Sequence, residues 1–255
     1  MKDTLDITAS IVLYKEDLTE LTNTINCFLN TPLTKKLFLI DNTSTKLFEG
    51  IFKQSEIEYI PIGKNIGFGA GHNIILDKIK EISKYHLILN PDVSFNNTVI
   101  SNLIEKLKMD ETIAMIAPKV LFPNGKHQYS CRRYPTIIEL FVRRVPFLIP
   151  LFKKKVEQGM YKDRDITKPF YAEYVTGCFQ LYNTEDFIAL DGFDERYFLY
   201  MEDVDICKKI EQQGKNKLYF PIEKITHVLK KGSEKNFKLF LRHTFSMMQY
   251  FKKWK

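Results

Sequence analysis

A chain of 255 residues, 44% apolar and 27% charged, can bury a substantial core and has the balance of a globular protein in water. Its formal charge of +7, carried mainly by lysine, suits an anionic partner such as a nucleotide, a phosphorylated lipid or a membrane surface. Cys27, Cys131, Cys178 and Cys207 are too widely spaced for a disulfide scaffold and read as reduced thiols of a cytosolic protein. The start of the chain runs straight into a strand pattern, so no signal peptide is expected. No apolar run approaches the ~20 residues of a membrane span. The nearest, 145–152, is broken by Pro146 and Pro150.

In chain order, residues 7–14 predict a buried strand and 18–29 a helix. A short apolar run at 37–40 ends in the turn-forming Asp41-Asn42-Thr43-Ser44, and 58–62 is a third strand. Residues 71–82 suit a helix, 85–89 a strand ending at Asn90-Pro91-Asp92, 99–107 a helix and 113–120 a strand. This alternation predicts an α/β fold with an open, mostly parallel sheet, whose ligands collect at the C-terminal strand ends. Asp41 and Asp92 fall there. After Phe122 the alternation breaks, and the Pro-rich, basic-aromatic stretch 123–170 reads as an insertion or flap. Strand-like pattern returns over 172–182, a short helix or turn over 186–191, and strands at 218–221 and 225–228. Residues 237–254 predict a terminal helix rich in Phe, Met and Lys.

The chain is organised around residues 192–214. There an aromatic run ends at Glu202, Asp203 and Asp205, and a helical pattern closing at Gly214 begins. Acids at a helix start face the positive end of its dipole. An N-cap at Asp203 and a catalytic base seated in a partly dry pocket both fit this stretch. Asn90-Pro91-Asp92 follows a strand, where a carboxylate can hold Mg²⁺ or Mn²⁺ and through it a diphosphate; an ordinary turn fits equally. His227 gains weight as a metal ligand only if the fold brings it to Asp92. The Gly-rich run 65–73 lacks the third glycine of a dinucleotide fingerprint, since position 72 is His. Its Asn65 and Gly67 can still let backbone approach a nucleotide-sugar, or simply make a tight connection. Basic-aromatic patches at 141–144, 153–155, Lys230-Lys231, Arg242 and Lys252-Lys253 suit an anionic lipid surface or a solvated face; no nucleic-acid-reading motif accompanies them.

Taken together, these pieces resemble family 2 glycosyltransferases of the GT-A fold, most of all the bacterial rhamnosyltransferase branch that builds O-antigens and other surface polysaccharides. The resemblance covers about 7–233. It rests on Ile-Val-Leu-Tyr at 11–14, Ile-Asp-Asn-Thr-Ser at 40–44, Asn65-Ile66-Gly67-Phe68-Gly69 with Asn73, and Leu-Asn-Pro-Asp at 89–92. It continues through Gly-Cys-Phe at 177–179, Gly-Phe-Asp-Glu at 192–195, Tyr-Phe-Leu-Tyr-Met-Glu-Asp-Val-Asp at 197–205, and His227 with Gly232-Ser233. The resemblance implies one GT-A domain, with a donor half at 1–122, an acceptor and catalytic half at 123–236 and a basic-aromatic helix at 237–255. Asp41 would bind the pyrimidine beside Leu13 and Tyr14, and Asn65, Gly67 and Asn90 would line the donor site. Asp92 and His227 would hold a divalent cation, Mn²⁺ or Mg²⁺. Asp203 would be the base of an inverting transfer, supported by Glu202. The donor implied is a nucleotide-sugar, foremost dTDP-L-rhamnose. The acceptor is a lipid-linked saccharide of undecaprenyl-diphosphate type, met in the cytoplasm at the inner face of the membrane. A nucleotidyltransferase would want a Gly-rich basic loop after the first strand, and Tyr14-Lys15-Glu16-Asp17 is not one. A saccharide-binding scaffold that kept the fold is the reading from another class.

Overall fold

The computed structural model describes residues 4–144, 147, 150–229 and 237–255, with the side chains of Phe141, Arg143, Arg144 and Phe237 left out. Lys230, Lys231, Gly232, Ser233 and Pro146 lie outside the described residues. A nine-stranded sheet carries the molecule. Its path runs β3 (Ile57–Pro61), β2 (Lys35–Asp41), β1 (Leu5–Leu13), β4 (Ser83–Leu89), β10 (Phe179–Asn183), β6 (Ile113–Leu121), β11 (Asn216–His227), β5 (Val93–Phe95), with β8 (Phe170–Tyr171) paired to β11. The first four are mutually parallel, and β6 and β11 share their direction; β10, β5 and β8 run against them. The α/β, mostly parallel open sheet is as expected.

Near-continuous apolar strands are what burial on both faces requires. Along β1 and β2, Ile7, Ala9, Ile11, Leu13, Leu37 and Leu39 face one core with helices α1 (Leu18–Leu29) and α4 (Val99–Met109). Phe38 and Ile40 face a second core with α7 (Thr184–Ala189) and α8 (Glu202–Gln212). Asp17 caps α1 by accepting from the Thr19 and Glu20 N–H groups. Residues 71–82 form two short helices rather than one, α2 (Phe68–Asn73) and α3 (Leu76–Ile79). The β-branched pair Ile74-Ile75 separates them. The strands expected at 218–221 and 225–228 are one strand, β11, whose register slips between Phe220 and Lys224.

The described residues of the stretch 123–170 carry β7 (Cys131–Arg132), α5 (Ile137–Arg144) and α6 (Lys153–Gly159); β7 pairs with β9 (Tyr174–Val175). The terminal helix, α9 (Phe237–Lys253), is tied down by its own cations. Lys253 Nζ lies 2.8 Å from carboxylate oxygens of both Asp194 and Asp205, and Trp254 Nε1 donates to Asp205 at 2.7 Å. Arg242 stacks 3.7 Å over the Phe198 ring. Two of the basic residues expected on an outer patch thus point inward. The cysteines are all free thiols.

A polar seam crosses this packing. Ser10 Oγ lies 2.7 Å from His72 Nδ1 and 2.9 Å from His86 Nε2, and Thr8 Oγ1 lies 2.8 Å from His86 Nδ1, all fully buried. Here His72, which spoils the dinucleotide fingerprint, is a core residue. Burial alone pulls His86 down to about 3, and burial with the neighbouring His86 pulls His72 well below its ordinary value. Both stay neutral in the fold, while the unfolded chain binds protons below about pH 6.5. Their contribution is therefore complete above that pH and is lost as pH falls. Between about pH 7 and about pH 5, His86 should remove about 2 kcal/mol of stability. Glu202 and Asp203, described below, titrate in the opposite sense, so the measurement compares wild type with His86→Gln by urea denaturation at both pH values. An equal acid loss in the two proteins disproves the assignment.

Candidate active site

Two clusters meet on a two-residue link, Gly177-Cys178, at the start of β10. The first is carried by the turn after β4. The Asn90 N–H donates to the Cys178 carbonyl at 3.0 Å. Asp92 Oδ1 lies 3.2 Å from His227 Nε2, and Asp92 Oδ2 accepts the Leu229 N–H at 3.1 Å. Asn90 Nδ2 is 3.3 Å from the same His227 nitrogen. This answers the condition set by the sequence: strand β11, paired to β5, returns His227 to Asp92 across 135 positions of chain. Burial opposes charge on the imidazole, yet the facing Cys178 and Asp92 outweigh it and lift His227 to about 10.

Two residues beyond those expected hold this cluster. Gln128 Oε1 accepts from His227 Nδ1 at 3.0 Å, which aims Nε2 at Asp92. Thr24, on the buried face of α1, hydrogen-bonds the Pro91 and Val93 carbonyls at 2.8 Å and accepts the Val93 N–H at 3.0 Å. A threonine among Leu21, Ile25 and Phe28 was the one hint that the turn needed a clamp. A divalent cation fits here by donor chemistry once it displaces the Nε2 proton of His227: a carboxylate and an oriented imidazole are hard and borderline donors. No group of three or more His, Cys, Asp and Glu is placed to hold an ion among the described residues, so the other positions would fall to substrate phosphates and water.

The second cluster opens α8. Asp203 is not its cap: the N-cap is Met201, and Glu202 and Asp203 are already inside the first turn. Asp203 Oδ1 accepts the Val204 N–H at 2.9 Å, and Oδ2 accepts the Gly177 N–H at 3.3 Å. Glu202 is buried, with Oε2 lacking any hydrogen-bond partner. Burial raises both acids, and the charge on Asp203 raises Glu202 further; backbone donors and Arg132 hold Asp203 the lower of the two. Asp203 remains partly open to solvent. One ionised and one neutral carboxyl side by side is an arrangement suited to proton transfer.

The approach to this pair is strained. Tyr200 and Met201 both have positive φ, 69° and 72°, which costs about 1–3 kcal/mol per residue. The loop is held by the Phe68 N–H on the Phe198 carbonyl at 3.1 Å, by Ser246 Oγ on the Leu199 carbonyl at 3.0 Å and by the ring of His243 against Tyr200. Gly67, with φ +102°, lies so close that a Cβ there would run into the Phe198 carbonyl. The close backbone approach expected of this loop is thus made to the acid-bearing segment. Asn65 Oδ1 accepts the Gly67 N–H at 3.0 Å and completes the turn.

The residues expected around a nucleotide base stand together at the ends of β1 and β2. The Asp41 carboxylate is fully buried and takes the Thr43 N–H at 2.8 Å and the Tyr59 hydroxyl at 2.5 Å. Leu13 lies in the core and offers its carbonyl to the Asn42 N–H. Tyr14, 48% exposed, is the open side chain at that strand end. Asn42 donates to the Gly67 carbonyl and leaves its own Oδ1 unpartnered.

Comparison with known proteins places this geometry in a class. Over 227 residues the chain is 27% identical to the rhamnosyltransferase WbbL of Escherichia coli, covering 84% of this chain and 81% of the relative. Over 205 residues it is 24% identical to the N-acetylglucosaminyl-diphospho-decaprenol L-rhamnosyltransferase of Mycobacterium tuberculosis, covering 75% of this chain and 66% of that protein. The crystal structure of GalNAc-T7 with UDP, GalNAc and Mn²⁺ superposes with a TM-score of 0.68 at 16% identity, over 91% of this chain and 45% of that one, a likeness of fold. No protein-family model matches the chain. Fold and relatives together define a glycosyltransferase of the GT-A type. Within that class the chain is similar to rhamnosyltransferases.

Proposed function

We propose that this chain transfers an L-rhamnosyl group from dTDP-L-rhamnose to a lipid-linked saccharide of undecaprenyl-diphosphate type, with inversion, in bacterial surface polysaccharide synthesis at the inner face of the membrane. The observation that carries the reading is the shared link. Asp203 and the Asn90, Asp92 and His227 cluster are bonded to adjacent residues, Gly177 and Cys178. In this reading the raised Asp203 carboxylate and the Asp92 and His227 cluster serve one cleft beside Gly177 and Cys178. The names of both relatives support the sugar, and that of the mycobacterial one supports a lipid-linked acceptor.

In this mechanism Asp203 accepts the proton of the acceptor hydroxyl as its oxygen attacks the anomeric carbon. The bond from that carbon to the diphosphate breaks on the opposite face, and the nucleoside diphosphate leaves with the electron pair. One base and one displacement invert the centre. Asp92 and His227, with Asn90, would hold a divalent cation, which when bound supplies the positive charge that the leaving diphosphate needs. Glu202 stays protonated and shapes the acceptor side. The base of the donor lies at the strand ends by Leu13 and Tyr14, and Asp41 reaches it once Tyr59 turns aside. Residues 1–122 form the donor half in this reading, and the insertion within 123–236 excludes water from the activated donor.

Asp92→Ala should weaken nucleoside diphosphate binding in the presence of Mn²⁺ about tenfold or more, the usual range for a lost metal ligand or its support. Titration calorimetry with and without Mn²⁺ reads this directly, and an affinity that is metal-independent and unchanged by the substitution removes Asp92 from the role. The donor is tested by thermal stabilisation with a panel of nucleotide-sugars. If dTDP-L-rhamnose gives no shift while a UDP-hexose does, the sugar assignment is wrong and the transferase assignment stands.

A further inference from the structure

The outer face of α9 repeats at helical spacing. Leu241, Phe245 and Met248 are 51%, 57% and 59% exposed, three and four residues apart, so they form one apolar stripe. Exposed lysines continue it at both ends, Lys238 before and Lys252 and Lys255 after. Residues 237–255 contain no acidic side chain. The opposite face is the docked one: Ser246 and Tyr250 are buried, and Lys253 and Trp254 bind Asp205.

We infer that this stripe lies in the surface of an anionic lipid bilayer, parallel to it. An apolar centre with long cationic side chains at its ends is the pattern of an interfacial helix, where the rings and aliphatic chains enter the acyl boundary and the ammonium groups meet lipid phosphates. No helix among the described residues is long and apolar enough to cross a membrane, so α9 lies along the surface. A second copy of the chain is a poorer occupant. Antiparallel pairing of two such stripes would set Lys252 and Lys255 against Lys238 of the other copy, with no acid in either helix to offset the charge.

The stripe is coupled to chemistry by position. The docked face of α9 holds residues 198–200, through Arg242 on Phe198, Ser246 on the Leu199 carbonyl and His243 on Tyr200. Glu202 and Asp203 follow at once. A bilayer-seated α9 therefore sets the acid pair beside the lipid headgroups, where the diphosphate end of a lipid-linked acceptor would stand. This last step rests on the transferase reading; lipid binding does not.

The test uses the full chain and flotation with phosphatidylcholine vesicles with and without phosphatidylglycerol. Wild type should float with the anionic vesicles, and progressively less as salt rises. Leu241→Ser, Phe245→Ser and Met248→Ser combined should lower partitioning about tenfold or more with an unchanged melting temperature. Lys252→Glu with Lys255→Glu should lower it and flatten the salt dependence. The triple variant should keep turnover on a water-soluble, short-chain acceptor and lose it on a long-chain acceptor in vesicles. Wild type that ignores anionic vesicles, or a triple variant that floats as wild type does, overturns the inference. So does a concentration-dependent dimer in wild type that the triple variant abolishes. Because the flotation vesicles carry no saccharide, their result stands apart from the sugar chemistry; inactivity on every acceptor would count against the transferase reading alone.

Discussion

Asp203→Asn should lower sugar transfer by about 10²- to 10⁴-fold, the range for removing a positioned general base, with nucleotide affinity near wild type and a melting temperature lower by a few degrees. The amide keeps the size and shape of the carboxylate, so α8 still begins at Glu202 and the Gly177 link still closes on it. One of the two backbone N–H groups now held by the carboxylate, from Val204 or Gly177, will face an amide NH₂. That mismatch is a modest structural penalty of about 1–2 kcal/mol. What is lost is the proton acceptor. Glu202→Gln is the informative partner. Burial and the Asp203 charge hold Glu202 protonated, so a neutral isostere changes little. Activity should fall with acidification at pH values above the ordinary carboxylate range, because burial raises Asp203 and a protonated base cannot accept. Single-turnover kinetics across pH on the two variants separates the roles. An Asp203→Asn enzyme that turns over at the wild-type rate, or a Glu202→Gln enzyme that is the dead one, reassigns the base.

The parts of this molecule legible in the sequence are those fixed by local pattern. Strands β1, β2 and β4 are long apolar runs because both sheet faces are covered, and α1 shows its buried stripe in plain order. Helix α8 was visible from its acids and from Gly214; of the two readings open for Asp203 the cap falls away, since the cap is the left-handed Met201, which leaves no compositional trace. Strand β5 was missed because three residues carry no period. The gathering of Asp92 and His227 was foreseen as a condition and not as a fact, because only the pairing of β5 with β11 decides it. Asp41 illustrates the converse: its position at a strand end was legible, but Tyr59, on the neighbouring strand, decides what its carboxylate meets. Gln128 is the clearest omission. It stands in the insertion, and its partner is 99 positions away.

The third acid of the opening cluster, Asp205, provides the larger structural test. It is fully buried and receives Lys253 at 2.8 Å, Trp254 Nε1 at 2.7 Å and the Tyr197 hydroxyl at 3.1 Å. Asp205→Ala leaves the buried Tyr197 hydroxyl and the indole N–H without their acceptor and Lys253 with Asp194 alone. Breaking one side of a buried ion pair typically costs about 3–5 kcal/mol, which for a chain of this size lowers the melting temperature by roughly 6–20 °C. The loss should not be confined to stability. Once α9 loosens, Arg242, His243 and Ser246 no longer brace residues 198–200, and the left-handed pair Tyr200 and Met201 relaxes away from the geometry that presents Asp203. Transfer should therefore drop well below the melting temperature, where the sheet is still folded, and hydrogen exchange should rise first in α9 and in 197–204. Lys253→Met is the companion, since it strands the Asp205 charge while keeping the Trp254 and Tyr197 donors. If Asp205→Ala melts within about 0.5 kcal/mol of wild type, the scale of a neutral surface substitution, then α9 is not anchored by this carboxylate and the brace on the acid loop must be sought elsewhere.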